Sequence, residues 1–292
     1  MISFINKYSI LLQLLVIAAA CTAILGRLIE LPAIPIVFWR TLLAAIIMLI
    51  WLTLTKRAPI QIKAHEIWSA LGIGAIMALH WITFFGSIQL SNISVCLAGL
   101  ASLSLFTAFT EPIIERKKPK LTEMLLGLMV IPGLLLIAGA AWHHIIGLLC
   151  ALVSAFLASL FPVLNRRLTL RGLAPETLTL YEMAGAAAVC FIASSIYSPQ
   201  TTVQLPSPND WLWLGILATF CTVWASSTQI YLLRRFSAFT TNLVLNLEPI
   251  YGILLAAVIF SEHQDLNFVF YLGATCIVSA NLIHAYISRK AK

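Results

Sequence analysis

Ten apolar stretches, each about 20 residues long, occupy nearly all of this 292-residue chain. They lie approximately at residues 8–29, 33–55, 66–88, 92–115, 121–141, 145–167, 174–197, 209–234, 238–261 and 267–288. Because a helix of this length spans the hydrocarbon core of a bilayer, each stretch predicts a transmembrane helix. Hydrophobic residues make up 61% of the chain and charged residues 10%, which excludes an ordinary soluble domain. The sequence therefore predicts an all-α integral membrane protein with ten transmembrane helices.

The basic residues alternate between the gaps that separate these stretches. Of the 18 Lys and Arg, all except Arg27 and Arg40 lie at the termini or in every second gap. Basic residues concentrate in short cytoplasmic loops, so both termini are predicted to be cytoplasmic, in a bacterial cytoplasmic (inner) membrane. The net charge of +7 does not indicate nucleic-acid binding, because the positive charges flank helix ends in small groups. The expected partners are the lipid bilayer and a small-molecule substrate.

The sequence shows no motif for a cofactor, a metal or a nucleotide. All six cysteines fall within predicted helices, and none forms a close pair with metal-ligand or redox spacing. No glycine-rich phosphate loop leads into a Lys-Ser or Lys-Thr pair. The first apolar stretch continues to about Leu28, which favours a retained helix over a signal peptide. No cofactor, metal site or ATP drive is expected.

The two halves of the chain resemble each other at an offset of about 142–145 residues. Residues 32–45 line up with residues 174–187, which places Trp39 over Tyr181 and Arg40 over Glu182. Each half has five predicted helices, an odd number, so the second half crosses the membrane in the opposite orientation. Inverted repeats of this kind are typical of transporters, with the substrate site near the midplane. We therefore predict two inverted five-helix repeats, residues 1–143 and 144–292.

Several short motifs carry a family resemblance. They are Phe38-Trp39-Arg40, Leu79-His80-Trp81, Phe84-Phe85-Gly86-Ser87, Leu90-Ser91-Asn92-Ile93-Ser94-Val95, Asn246-Leu247-Glu248-Pro249-Ile250-Tyr251-Gly252 and Ser261-Glu262. In these residues the chain resembles the EamA branch of the drug/metabolite transporter superfamily over nearly its full length. The resemblance implies a transporter of amino acids, metabolites or toxic compounds, and not an enzyme. Ser104 stands where the family usually has a proline, so a kink in helix four is expected nearer Pro112, and one in helix nine at Pro249.

Four ionisable residues lie at membrane depth: Arg40, His80, Glu182 and Glu248. Such a residue costs about 2.5–3.5 kcal/mol near the bilayer centre and needs an explanation. Glu248, beside Pro249, is either a proton carrier or substrate contact in a polar cavity, or a packing residue. Arg40 either attracts a substrate carboxylate or phosphate, or is a static structural partner. Glu182 is a weaker candidate for an inner gate, and His80 is either a satisfied core histidine or a ligand.

Polar and aromatic neighbours extend this set of candidates. The further residues proposed for the substrate or proton pathway are Asn242, Asn246, Trp81, Tyr181 and Gln229. Trp81 shares a helix face with Phe84 and Phe85, and Gln229 shares one with Ser226, because residues three or four apart are neighbours on a helix.

These features predict a small-molecule permease that exports amino acids or related amphipathic metabolites or drugs by alternating access. A proton gradient or a substrate gradient would drive it. An intramembrane enzyme is the first alternative, but it needs a nucleophile with a base, paired aspartates or a histidine cluster. The two aspartates, Asp210 and Asp265, both lie in predicted outer loops. A membrane scaffold is the second alternative, although an inverted repeat gives a scaffold no benefit. A homodimer is compatible with the sequence.

The charge pattern makes a direct topological prediction. Reporter fusions after Lys63, Lys118, Arg171 and Lys292 should all report a cytoplasmic location, and a fusion after Ser207 should report an external one. An external reporter after Lys292 would mean that a helix has been miscounted, and it would contradict the inverted repeat.

Overall fold

The computed structural model describes residues 7–59, 61–140, 142–197, 203–264 and 266–290, and these residues form helices and connecting turns without a β-strand. The helices are α1 (Lys7–Leu28), α2 (Ala33–Thr55), α3 (Ala64–Leu90), α4 (Ile93–Glu115), α5 (Leu121–Ala140), α6 (Ile145–Leu170), α7 (Pro175–Tyr197), α8 (Pro208–Leu232), α9 (Ala238–Ile259) and α10 (Phe268–Lys290). In this described part, α1 to α9 are long and apolar enough to cross a membrane, whereas the apolar part of α10, Phe268–Ser279, is shorter. The predicted all-α membrane fold is confirmed.

Several helices are interrupted. Three helices each consist of two segments: α4 of Ile93–Leu100 and Leu103–Glu115, α5 of Leu121–Leu128 and Val130–Ala140, and α9 of Ala238–Leu245 and Glu248–Ile259. Helix α8 contains a π-helical segment, Thr219–Trp224. The breaks in α4 and α9 are counterparts, because residues 101–102 and 246–247 differ by the 145-residue offset of the repeat. The break in α9 directly precedes Glu248 and Pro249.

The kink of α4 expected near Pro112 stays a prediction, and Pro112 lies inside the continuous helical segment Leu103–Glu115. The break occurs earlier, at Ser102. The backbone N–H and the side-chain hydroxyl of Ser102 both donate to the carbonyl of Gly99, over 3.1 Å and 2.7 Å. A serine hydroxyl that competes for a backbone carbonyl opens the helix without a proline. The two repeats are therefore broken at corresponding positions, although Ser104 of α4 stands where α9 has Pro249.

Counterpart helices of the two repeats pack against each other. Helix α2 packs on α7, α4 on α9 and α5 on α10, while the contact of α3 with α6 is mirrored by that of α8 with α1. Each repeat thus forms its main contacts with the other, as expected for halves related by a two-fold axis in the membrane plane. The predicted pair of inverted repeats is confirmed as an architecture, and the boundary between residues 143 and 144 stays a prediction.

The loops form two sets, one at each end of the bundle. At the basic face, defined by the loops that carry most Lys and Arg, the Arg166 guanidinium donates to the Glu115 carboxylate over 2.8 Å. At the opposite face, the backbone N–H of Glu30 donates to the Asp210 carboxylate over 2.9 Å. Between these faces, large apolar side chains cover the outer surface; Leu54 is 79% exposed and Val258 is 82% exposed. Such a surface is suited to lipid and not to water.

Close contact between α3 and α7 gives a stability prediction. A methyl group at Gly74 of α3 would overlap the backbone carbonyl oxygen of Glu182 in α7, whereas a methyl group at Gly72 would meet nothing within 4 Å. We expect Gly74→Ala to lower the free energy of unfolding by about 1–3 kcal/mol through overpacking. The control Gly72→Ala should be neutral or stabilising by about 0.5–1 kcal/mol. Unfolding curves of the two variants in detergent micelles check this, and equal midpoints would contradict the α3–α7 packing.

Candidate functional site

A cavity of about 120 Å³ lies between the two repeats. Helices α1 to α4 contribute to its wall from the first repeat, and α6, α8 and α9 contribute from the second. The volume is enough for several water molecules. Six of the residues proposed from the sequence line it: Arg40, His80, Trp81, Gln229, Asn242 and Glu248. The cavity therefore brings together polar groups that lie far apart in the chain.

Arg40 of α2 is the principal cation of this site. It is only 1% exposed, and its Nε and Nη2 donate to the Thr222 hydroxyl over 3.1 Å and 2.8 Å. Nη2 also donates to the Cys221 carbonyl over 3.3 Å, and the carbon of the guanidinium lies 4.0 Å from the centre of the Trp81 ring. Nη1 has no hydrogen-bond partner among the described residues. One donor group of a fixed guanidinium thus remains available for a ligand.

The π-helical segment of α8 makes this position of Arg40 possible. A π-helical turn is wider than an α-helical turn and leaves backbone carbonyls outside the regular pattern, which is why such turns are frequent at functional sites. Here the Cys221 carbonyl accepts from Arg40, while the Thr222 hydroxyl donates to the Leu217 carbonyl, five residues earlier, over 2.8 Å. Thr222 is therefore oriented to accept from Arg40 with its lone pairs.

Glu248 is the anionic counterpart in the same cavity. It is the first residue of the second segment of α9, just after the break, where the positive end of the helix dipole favours a carboxylate. The side chain lines the cavity, and no hydrogen bond joins its carboxylate to another described residue. The ion pairs of the described chain all lie at the basic face, so neither Arg40 nor Glu248 takes part in one. The packing interpretation of Glu248 as half of an ion pair finds no support here.

His80 is fixed in one orientation by α6. Its Nδ1 lies 3.0 Å from the Ser154 carbonyl and 2.8 Å from the Ser154 hydroxyl, which itself donates to the His80 carbonyl over 3.0 Å. A carbonyl only accepts, so Nδ1 carries a proton that it donates to Ser154. His80 is thus both a satisfied core histidine and part of the cavity wall.

Aromatic rings form the apolar part of the wall. Trp81, Phe84 and Phe161 line the cavity, and the His80 ring lies 5.6 Å from that of Phe161. Phe85 lies on the same helix face but packs deeper, against Gly26 of α1.

The remaining polar lining comes from α8 and α9. Ser226 and Gln229 both line the cavity, as their shared helix face predicts. The Asn242 amide nitrogen donates to the Thr107 hydroxyl of α4 over 2.9 Å, and its amide oxygen has no partner among the described residues.

Three of the proposed residues lie outside the cavity wall. Asn246 is buried at the break of α9, Tyr181 packs against the main apolar core, and Glu182 is wholly buried elsewhere in the bundle. Conversely, sequence reasoning missed Thr222 and Ser154, the partners of Arg40 and His80. Threonine and serine are common in membrane helices, and a π-helical turn has no sequence signature, so no signal in this chain points to either residue.

Two glutamates cap the first turns of α4 and α9, the two interrupted helices that line the cavity. At the opposite face, the Glu262 carboxylate, just after α9, accepts from the N–H groups of Ile93 and Ser94 in the first turn of α4, each over 3.0 Å. At the basic face, the Glu111 carboxylate of α4 accepts from the backbone N–H of Phe239 at the start of α9, over 2.6 Å. We call these the opposite-face cap and the basic-face cap. Each helix therefore begins on a glutamate supplied by the far end of the other.

A helical membrane bundle of two inverted repeats around a polar midplane cavity is the architecture of a secondary transporter. The sequence matches the EamA-like transporter family twice, over residues 6–139 and 145–284. The chain therefore belongs to the EamA-like transporter family, within the drug/metabolite transporter superfamily, which confirms the predicted resemblance. This is a family of transporters and not of enzymes.

One solved crystal structure has a similar fold. It superposes with a TM-score of 0.71 over 97% of this chain and 98% of the other, at 14% sequence identity. At that identity the likeness shows the fold alone. A search of curated proteins found no match.

The support of Arg40 by the π-helical segment leads to a second stability prediction. Thr222→Val keeps the side-chain shape but leaves the Arg40 Nε without its acceptor, which should lower the free energy of unfolding by about 1–3 kcal/mol. The matched control is Thr219→Val in the same segment, whose exposed hydroxyl donates only to the Gly215 carbonyl over 2.7 Å. Thermal unfolding in detergent measures both, and a control as unstable as Thr222→Val would remove the case for this contact.

Proposed function

We propose that this protein exports small zwitterions, such as amino acids and related amphipathic metabolites, by alternating access between its two repeats. The observation that carries the proposal is the pair of charges without ionic partners in one cavity. A guanidinium with a free donor and a carboxylate without an ionic partner both line it. The sequence alone left open whether these two residues were structural.

The energetics of buried charge favour a zwitterionic substrate. An uncompensated charge at membrane depth is costly, and a ligand that supplies the opposite charge removes that cost. A carboxylate fits the planar donor fork of Arg40, and an ammonium group fits the carboxylate of Glu248. A molecule that carries both groups compensates both residues at once.

The rest of the wall selects the remainder of the substrate. Trp81, Phe84 and Phe161 present aromatic surface, which favours an apolar or aromatic side chain. The volume of about 120 Å³ limits the substrate in this arrangement to a small molecule. Gln229 and Asn242 add hydrogen-bonding groups that would fix its orientation.

The inverted repeats support alternating access. Two halves of the same fold in opposite orientation exchange shapes, which gives two arrangements of similar energy that open to opposite sides. Opening at one face separates the start of α4 or α9 from its capping glutamate, and the cap at the other face keeps that side closed. Glu262 and Glu111 are therefore proposed as the groups that hold the two gates.

Direction, energy source and orientation complete the proposal. Export is proposed from the family resemblance, and a proton or substrate gradient is proposed because the sequence has no nucleotide-binding loop. The basic face is proposed to be cytoplasmic, with both termini there, in a bacterial inner membrane. A homodimer is compatible with this proposal. It is not needed to form the cavity, because a single chain supplies the lining residues.

Replacement of Glu248 tests the role of the cavity. Glu248→Gln keeps the shape and removes the charge, so the substrate ammonium loses its partner in a buried site. We expect the half-saturating substrate concentration to rise about thirtyfold or more, since removing one partner of a buried charge pair costs about 2–5 kcal/mol and about 1.4 kcal/mol is a factor of ten. The control is Glu30→Gln, an exposed glutamate outside the cavity. Unchanged flux in Glu248→Gln proteoliposomes, at equal reconstitution, would make Glu248 a packing residue.

The assay measures exchange of radiolabelled phenylalanine and leucine across the proteoliposome membrane, with modified amino acids as competitors. The N-acetyl and methyl-ester derivatives each lack one of the two charges, so neither should compete with the parent amino acid. Effective competition by both derivatives would show that the cavity does not select zwitterions.

A further inference from the structure

A second carboxyl group lies buried away from the cavity. Glu182 of α7 is 0% exposed, and neither of its carboxyl oxygens has a hydrogen-bond partner among the described residues. The amide group of Asn165 in α6 faces it, and the Asn165 amide oxygen is also buried without a partner. Unsatisfied buried polar atoms are rare in folded proteins and each requires an explanation. Here three such atoms belong to two side chains that face each other.

No charge compensates Glu182. Helix α7 packs against α2, α3 and the last part of α8. The charged and titratable groups of these segments, of the π-helical segment of α8, of α6 and of α7 itself are Arg40, His65, Glu66, His80, Cys150, Arg166, Arg167, Glu176, Tyr181, Cys190, Cys221 and Tyr231. None of them hydrogen-bonds to Glu182; Arg40 is bound to α8, and His80 is bound to α6.

The protonation state of the Glu182 carboxyl group follows from its surroundings. An isolated carboxylate removed from water is so costly that the group takes up a proton instead. Asn165 suits both forms of such a group, because an amide offers an acceptor oxygen on one side and donor hydrogens on the other. The oxygen accepts from a carboxylic acid O–H, and after rotation of the amide the nitrogen donates to a carboxylate.

We propose that Glu182 and Asn165 form a proton-binding site that is distinct from the substrate cavity. In the closed arrangement Glu182 holds a proton as a carboxylic acid. When the basic face opens and water reaches the site, the O–H bond breaks, the proton passes to water, and the carboxylate that remains accepts from the Asn165 amide. The reverse transfer from hydronium restores the acid before closure.

The position of the site favours access from the basic face. Asn165 directly precedes Arg166, whose guanidinium donates to Glu115 and to the Phe236 carbonyl at that face. On the other side, α3 lies too close for water, because Gly74 meets the backbone of Glu182 directly. Separation of α6 from α7 would therefore expose Glu182 to the solvent next to the basic loops.

A contact between α7 and α8 links the site to the cavity. Thr179 lies one turn before Glu182 on the same helix face, and its hydroxyl accepts from Ser227 of α8 over 3.2 Å. The neighbouring residue Ser226 lines the cavity. A shift of α8 when substrate binds would thus be transmitted to α7. This coupling rests on the proposed transport function, whereas proton binding by Glu182 does not.

Infrared difference spectroscopy tests the proton site without any transported substrate. The purified full chain in lipid vesicles is titrated between acid and alkaline pH, and the C=O stretch of protonated carboxyl groups is recorded. We expect Glu182→Gln to remove one such band and Asn165→Leu to shift it, while Glu176→Gln, in the first turn of the same helix, leaves it unchanged. A spectrum of Glu182→Gln identical to that of the unmodified protein would overturn the proposal.

Transport in proteoliposomes tests the coupling. Glu182→Gln should lose accumulation driven by a pH gradient while retaining substrate exchange at equal concentrations. Glu248→Gln should instead raise the half-saturating substrate concentration of both activities about thirtyfold or more. Full pH-driven accumulation in a folded Glu182→Gln variant would contradict the coupling. Failure of the unmodified protein to move any amino acid would instead refute the proposed function, and the infrared band would still decide whether Glu182 binds a proton. Size-exclusion profiles and the Asn165→Leu variant separate these results from misfolding.

Discussion

The opposite-face cap and the basic-face cap, which join α4 to α9, are the interactions on which the rest of the structure depends. Both helices are interrupted within their length, so neither is held straight by its own backbone hydrogen bonds. Glu262 fixes the start of α4, and Glu111 fixes the start of α9. A carboxylate at a helix N-terminus satisfies N–H groups that have no partner within the helix and complements the helix dipole. The caps therefore hold the two broken helices, and with them the cavity, between the two faces.

Within that frame, each repeat supplies one unmatched charge to a shared space. Arg40 belongs to the first repeat and Glu248 to the second, and both line the cavity. The chain supports Arg40 with the π-helical turn of α8 and the face of Trp81, so the guanidinium is oriented without being neutralised. A protein selected for stability alone would pair or delete such charges. Their retention in one cavity is the basis on which we propose that the protein binds a charged small molecule.

Much of this could be predicted from the sequence, and the limits have physical causes. Hydrophobic length and charge alternation predicted the helices and the inverted repeat, because the bilayer constrains every span in the same way. The candidates Arg40, His80, Trp81, Gln229, Asn242 and Glu248 do lie at one cavity, since ionisable and polar groups at membrane depth rarely face lipid. A kink of α4 was expected near Pro112, whereas the break of α4 lies at Ser102, whose hydroxyl donates to the Gly99 carbonyl. The partners Thr222 and Ser154 depend on how helices meet in space, which periodicity does not report.

Thiol labelling of one residue in each repeat is the most direct test of the central claim, alternating access between the two repeats. Thr41 and Met183, next to the counterparts Arg40 and Glu182, are both fully buried in the arrangement described, so a thiol reagent reaches them only when the bundle opens. Cysteines at these positions, in a background without the six native thiols, should label reciprocally when substrate is added: one rate rises as the other falls. Rates that rise or fall together, or that do not respond to any transported compound, would contradict alternating access by the two repeats.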